Sequence, residues 1–284
     1  LRRAVVKLEE GFSGDGNAVF DFDARIEQDP TPAQIAAQLP SRLSPEADGL
    51  TADGFLDKFD AMGGIAEAWL EGEDKRSPSV QMRITPLGTL EVISTHDQLL
   101  GGHTGQVFLG SAFPADAAYR ASLQAAGERV GHVLRAQGVL GRFSIDFITV
   151  LENEHWRHYA IEINLRKGGT TLPFQMLQFL TDGRYDAGRC EFITPTGQRR
   201  VYRATDNLCR PEYRRLTPDD LVDVIVEHQL HFDPTRQQGV VFGLIGAMSE
   251  HGKLGLVCIA ETPEQADALY RRTVAVIDAD VGAA

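Results

Sequence analysis

The chain has 284 residues, 28 of them Lys or Arg and 40 Asp or Glu, for a formal net charge of −12. That balance argues against nucleic acid or an anionic membrane as the main partner, because both demand a positive surface, and no apolar run reaches the ~18 residues of a membrane-spanning helix. At 43% hydrophobic and 24% charged residues, the composition excludes wholesale disorder and fits one large or two moderate globular domains.

The chain opens on Leu1, carries no signal-peptide pattern and is in an apolar strand by Val5, so it reads as the later part of a longer protein. Residues 4–8 predict a strand, Glu9 to Asn17 a glycine loop, and 18–22 a second strand. Thr31-Pro32, a cap followed by proline, opens a helix, and a second helix runs over 52–61 and stops at Gly63-Gly64. Strands are expected at 65–70, 79–85 and 89–94, then a loop over 99–105. An amphipathic helix follows over 115–137, with Leu123, Ala126, Val130, Val133 and Leu134 on one side and Gly138 ending it. Strands at 143–151 and 158–165 are joined by a charged turn. A helix over 174–180 comes after the glycines at 168 and 169. Beyond 185 we expect a strand near 199–204, a helix opened by Thr217-Pro218, two strands at 239–248 and 254–260, and a last helix from Thr262-Pro263 to about 276. Cys190, Cys209 and Cys258 form no CxxC spacing, which favours free thiols and a reducing, cytoplasmic setting. His228 and His231 read as a solvated pair without a third metal ligand.

Three segments can carry chemistry. The loop with Gly11, Ser13, Gly14, Gly16 and Asn17 brings backbone N–H groups close to a ligand and suits phosphate, with Lys7 as a nearby point charge; no helix follows it, so it is neither a P-loop nor a Rossmann turn. A glycine-rich hairpin turn has the same spacing. The second segment is Glu67 to Asp74, where an apolar strand end (Trp69, Leu70) meets clustered acids, including Glu73 and Asp74, that can accept from a purine amino group and a ribose; a strand end turning into solvent looks alike. The third is the strand pair at 143–165. Period-2 alternation puts Glu162 and Asn164 on one face, and a turn centred on Glu154 sets Asp146 opposite Glu162. Two carboxylates so placed repel, and a hard divalent cation with oxygen ligands resolves the conflict. A solvated polar face is the alternative.

Order and spacing together resemble the ATP-grasp superfamily: a lysine strand, a glycine loop, a Glu-x-Trp-Leu hinge, then Asp on one strand and Glu-x-Asn on the next. The run Glu162-Ile163-Asn164-Leu165-Arg166-Lys167-Gly168-Gly169-Thr170-Thr171, together with His96-Asp97-Gln98, Gly102 to Gly105 and Gly110 to Pro114, is similar to the amino-acid and peptide ligases related to the enzyme of pheganomycin biosynthesis. The resemblance implies an α/β (α+β) ATP-grasp fold whose two subdomains clamp ATP between antiparallel sheets. These would span 1–95 and 96–185, followed by a small C-terminal α/β unit over 186–284.

The activity implied is an ATP-dependent ligation of a carboxylate to an amine through an acyl phosphate, with ATP and Mg2+ as cofactors and small-molecule or peptide substrates. The alternatives are a non-catalytic nucleotide-binding module and one part of a larger multi-domain ligase. The implied roles are as follows. Lys7 and the Gly11–Asn17 loop meet the phosphates. Glu67 takes the adenine amino group, Trp69 and Leu70 the ring edge, and Glu73 or Asp74 the ribose. Asp146, Glu162 and Asn164 ligate magnesium. Arg142 and Arg166 meet the acyl phosphate and the substrate carboxylate. The family's arginine two residues before the metal aspartate is Ser144 here.

Overall fold

The computed structural model describes residues 2–11, 14–22, 30–72, 74–101 and 107–283. Contacts divide the chain into two compact units, one of residues 1–73 and 100–108, the other of 74–99 and 109–284. The expected boundary at 95 therefore falls inside a strand, and residues 74–99 pack with the strand pair at 141–164.

The first unit holds β1 (Arg3–Leu8), β2 (Asn17–Asp21), α1 (Pro32–Ala36), α2 (Leu39–Arg42), β3 (Leu43–Pro45), α3 (Ala52–Met62) and β4 (Gly64–Ala68). Its antiparallel sheet runs β3-β2-β1-β4. The expected cap at Thr31 forms, accepting from the Gln34 amide, and Thr51 caps α3 in the same way by accepting from the Gly54 amide, each satisfying a donor that the first helical turn leaves open. Phe55 of α3 is fully buried against Ala4, Ala18, Phe20 and Leu43.

The second unit begins with β5 (Lys75–Arg76), β6 (Pro78–Ile84), all but the facing ends of β7 (Leu90–Gly101) and β8 (Val107–Phe113), α4 (Arg120–Ala136), β9 (Gly141–Glu152), β10 (His155–Asn164) and α5 (Thr171–Thr181). It continues through β11 (Arg184–Asp186), β12 (Glu191–Ile193), β13 (Val201–Cys209), α6 (Pro218–Glu227), β14 (Gly239–Gly243), α7 (Met248–His251), β15 (Lys253–Ala260) and α8 (Pro263–Ala283). One sheet runs β10-β9-β6-β7-β8-β13-β15-β14, with β5 also on β9. The C-terminal strands thus extend the sheet that carries β9 and β10.

Alternation on β6 and β9 sends Val80, Met82, Ile84, Phe143, Ile145 and Phe147 to one face, where α4 covers them with Leu123, Ala126 and Leu134. The stripe on α4 centres on Gly127 and Gly131, whose missing side chains let Val80, Leu90 and Met82 approach the helix. Val133 lies off that stripe and is 57% exposed.

The helix begins at Arg120 rather than 115. Hydrogen bonds draw 115–119 onto β7 instead: the Ala115 and Asp116 amides donate to the Thr95 carbonyl and the Asp97 carboxylate, and the Tyr119 hydroxyl donates to Asp97 at 2.6 Å. The expected loop at 99–101 is strand, since β7 runs on to Gly101. The last helix extends past 276 because Ile277 and Val281 continue its buried stripe into the C-terminal core. The short pair β11–β12 had no counterpart in the sequence pattern. All three cysteines are free, and no helix among the described residues is long and apolar enough to cross a membrane.

Candidate active site

The β9–β10 hairpin closes on Asn153 and Glu154, with φ of 49° and 66°, the left-handed pair that matches strand twist in a two-residue turn. This turn pairs His155 with Glu152 and Ala160 with Phe147. Continued unbroken, it would set Ile161 against Asp146. The register instead shifts between Ala160 and Glu162, so Ile161 is an extra residue and Glu162 stands opposite Asp146, Asn164 opposite Ser144. A β-bulge of this kind re-aims the side chains beyond it. The expected pairing is present, but the turn and the bulge produce it together.

Neighbouring strands extend it into rows. His96, Ser79, Asp146 and Glu162 lie side by side on β7, β6, β9 and β10; Ser94, Gln81, Ser144 and Asn164 form the next row. The Asp146 carboxylate is held at both oxygens: Gln98 Nε2 donates to Oδ1 at 2.9 Å and Asn164 Nδ2 to Oδ2 at 3.1 Å. Glu162 is exposed on the same face. Among the described residues no three His, Cys, Asp or Glu side chains gather as a metal cluster. The set here is two carboxylates and an amide, all hard oxygen donors once Asn164 turns its amide, and that donor set fits magnesium, which keeps several waters and takes few protein ligands. Gln98 orients Asp146 as an outer-shell partner would.

Beside these rows a cavity is lined by Gln81, Ser94, Arg142, Arg166, Lys167 and Thr170, so the structure brings Arg142 and Arg166 together. At the β7 end of the first row, His96 is fully buried, with Nε2 2.7 Å from the Tyr202 hydroxyl. Burial without a charged partner lowers its pKa to about 3, so the ring stays neutral.

In the first unit, Lys7 Nζ lies 2.5 Å from a Glu67 carboxylate oxygen. The register explains it: Glu67 faces Val5, two residues from Lys7 on the same side of β1. Arg3 pairs with Glu71 at 3.1 Å and stacks 4.5 Å over the Trp69 ring. The Trp69 amide donates to the Arg3 carbonyl, which extends the sheet one step past β4. Leu70 follows directly and is half-buried. Asp74 belongs to the second unit and pairs with Arg76 at 2.8 Å. Ser13, Glu73 and the residues at 102–105 lie outside the described residues.

The glycine loop has a structural reason of its own. A Cβ on Gly16 would lie 2.8 Å from the Gly11 Cα, and one on Gly11 2.9 Å from the Gly16 Cα. Gly14 turns the chain at φ 92° and its carbonyl accepts from the Asn17 amide. The legs of the hairpin thus touch backbone to backbone.

Sequence reasoning gave no role to Ser94, Gln81, Lys167 or Gln98. The polar alternation Ser79, Gln81, Arg83 on β6 and Ser94, His96, Gln98 on β7 carried a signal for all but Lys167.

Residues 50–188 match the family described as IQCH-like, ATP-grasp, and 220–273 match the PGM1 C-terminal domain. The chain is 32% identical over 279 residues to the L-propargylglycine–L-glutamate ligase of Streptantibioticus cattleyicolor, covering 97% of this chain and 54% of that protein. It is 23% identical over 239 residues to IQ motif-containing protein H of Danio rerio, covering 81% of this chain and 22% of that one. The chain therefore spans about half the length of the first relative and about a fifth of the second. Among solved structures, N5-carboxyaminoimidazole synthetase from Staphylococcus aureus complexed with ADP superposes with a TM-score of 0.55 at 13% identity, over 97% of this chain and 61% of that one. Biotin carboxylase from Campylobacter jejuni gives 0.54 at 14%, over 93% and 55%. Both share the fold.

Proposed function

We propose that the chain is an ATP-grasp enzyme that joins a carboxylate to an amine at the expense of ATP, by way of an acyl phosphate. The observation that carries this reading is the Asp146–Glu162 pair with Asn164 beside it on one sheet face. A binding module without turnover has no need to keep two facing carboxylates, which repel across a ladder.

Asp146, Glu162 and Asn164 would hold Mg2+, which when bound neutralises charge on the transferring phosphoryl group. A substrate carboxylate oxygen attacks the γ-phosphorus, the bond to the β–γ bridging oxygen breaks, and ADP leaves. The amine then attacks the acyl carbon, loses a proton and displaces inorganic phosphate, which leaves an amide. Arg166, two residues beyond Asn164, supplies fixed positive charge to the acyl phosphate, and Arg142 binds the acid substrate. Glu67 accepts from the adenine amino group. Because its ammonium touches Glu67, Lys7 meets the nucleotide where the base joins the first phosphates. Trp69 and Leu70 wall the base, the amides of Gly11, Gly14, Gly16 and Asn17 with Ser13 meet the outer phosphates, and Glu73 or Asp74 holds the ribose. The substrates are small acids and amines, amino acids or peptides, with no nucleic acid or membrane partner. Free thiols and an ATP substrate fit a reducing, cytoplasmic setting for the reaction.

The test is ADP release from ATP, Mg2+ and mixed amino acids. Amino-acid-dependent release by the wild type, absent in Glu162→Gln, supports the ligase. No release from any mixture, or undiminished release by Glu162→Gln, overturns it.

A further inference from the structure

We propose that the groove between the open edge of β7 and α4 binds a short zwitterionic peptide, of tripeptide length, which adds to β7 as an antiparallel strand. The groove lies on the α4 side of the sheet, the face opposite to Asp146 and Glu162, and the inference does not depend on the ligase reading.

The first observation is an unpaired strand edge. At the β6–β7 turn the Thr85 amide donates to the Thr89 carbonyl. Hydrogen-bonded and non-bonded pairs alternate along an antiparallel ladder, so Arg83 and Glu91 are the next bonded pair, while Leu90 and Val92 stand opposite Ile84 and Met82 in non-bonded positions. The N–H and C=O groups of Leu90 and Val92 therefore point away from β6. On that side β7 gains a partner at Thr95, whose carbonyl accepts from the Ala115 amide. Such an open edge is a template for an added strand. The second observation is the space beside it, a cavity of about 310 Å3 lined by Thr89, Leu90, Val92, Glu128, His132 and Arg135, which reaches the size of small-molecule sites.

The charges give the groove a direction. Gly131 of α4 sits over Leu90 and Gly127 over Val80, so α4 runs along β6 and counter to β7. Glu128 thus lies toward Val92 and Arg135 toward Thr89. Buried Gln124 donates to Glu128 Oε1 at 3.1 Å and orients it; Arg135 has no acidic partner among the described residues. Seven helical residues separate the two charges, about 10 Å along the axis, and three extended residues span about 10 Å. A peptide with its ammonium at Glu128 and its carboxylate at Arg135 runs antiparallel to β7. Its first carbonyl accepts from the Val92 amide. Its third amide donates to the Leu90 carbonyl, and its carboxylate accepts from the Leu90 amide and Arg135. The first and third side chains share the face of Leu90 and Val92, which are partly buried against the α4 core, so apolar residues fit there.

The probe is the tripeptide Val-Ala-Val, titrated calorimetrically into the whole chain. We expect saturable binding by the wild type. Amidating the carboxylate, Arg135→Met or Glu128→Gln should each weaken it roughly threefold to tenfold, the scale of exposed ion pairs that also orient a ligand, with circular dichroism unchanged. N-methylation of the third amide should abolish binding, whereas N-methylation of the second, whose N–H faces away from β7, should leave it within threefold. No saturable binding at millimolar peptide, equal binding of the two N-methylated forms, or binding indifferent to both variants would overturn the site. None of these outcomes bears on ADP release, which tests the ligase reading separately.

Discussion

Glu162 stands opposite Asp146 with Ile161 intervening as an extra residue in β10. The bulge keeps Trp156 on the α4 side, where it packs against Tyr119 at 4.8 Å between ring centroids, and still turns Glu162 and Asn164 to the Asp146 face. One strand thus serves a core and a polar site whose phases differ by one residue.

Replacing Glu162 by glutamine removes a charge at nearly constant volume. ADP formation should fall at least 100-fold, as expected when a group that stabilises transition-state charge is lost. Stability in EDTA should hold or rise, because repulsion from Asp146 is relieved. Steady-state ADP release and urea denaturation check both halves.

Gly16→Ala places a methyl group 2.8 Å from the Gly11 Cα, and backbone cannot swing away as a side-chain end can. The cost should be about 1–3 kcal/mol, as for other overpacked sites. A denaturation midpoint for the first unit equal to wild type would show that the hairpin legs separate freely.

His96 gives the protein an acid-sensitive element. Folded, it resists protonation down to about pH 3, against 6.5 for an ordinary imidazole. Between those values the unfolded chain binds the extra proton, so this contribution is complete above pH 6.5 and is lost as pH falls toward 3, on the order of 5 kcal/mol in full. Asp97 works in the opposite direction, its pKa raised chiefly by burial, so the comparison must be made against a variant. His96→Gln, which keeps an acceptor for Tyr202, should show a flatter dependence of unfolding free energy on pH between 4 and 7 than wild type.

Gln98 is expected to act through Asp146. Gln98→Leu removes the donor to Oδ1 and should weaken Mg2+ affinity by about 10–100-fold, the usual effect of losing an outer-shell partner. Mn2+ titration followed by electron paramagnetic resonance measures this without turnover. An unchanged affinity would reduce Gln98 to a packing role.

Much of this site was legible because its signals are local. Thr31 caps its helix within three residues, and Lys7, Glu67 and Asp146 sit on strands whose alternation is plain. The Asp146–Glu162 pairing was anticipated from a turn centred on Glu154. The true turn closes half a residue earlier, and the bulge at Ile161 restores the sum. A turn's left-handed residues and a bulge are set by twist and packing, which period-2 counting does not see. The cavity was hidden for a related reason. Ser94, Gln81 and Arg142 come together across three strands, with a register shift between Gln81 and Met82. The glycine loop shows the reverse limit: its composition announced a ligand, while the contact of Gly11 with Gly16 supplies a packing reason for two of its glycines.

The sheet that bears Asp146 continues without a break through β8 into β13, β15 and β14, and Phe113 of β8 stacks on Tyr202 of β13 at 5.1 Å. Cutting the chain at 185 would strip that ring of its cover and leave β8 with a row of open amides and carbonyls, an invitation to pair with another copy. The last hundred residues are therefore a folding requirement of the half that carries the carboxylates. Truncations and core substitutions there will register as insoluble protein and lost activity together, however far they lie from the chemistry.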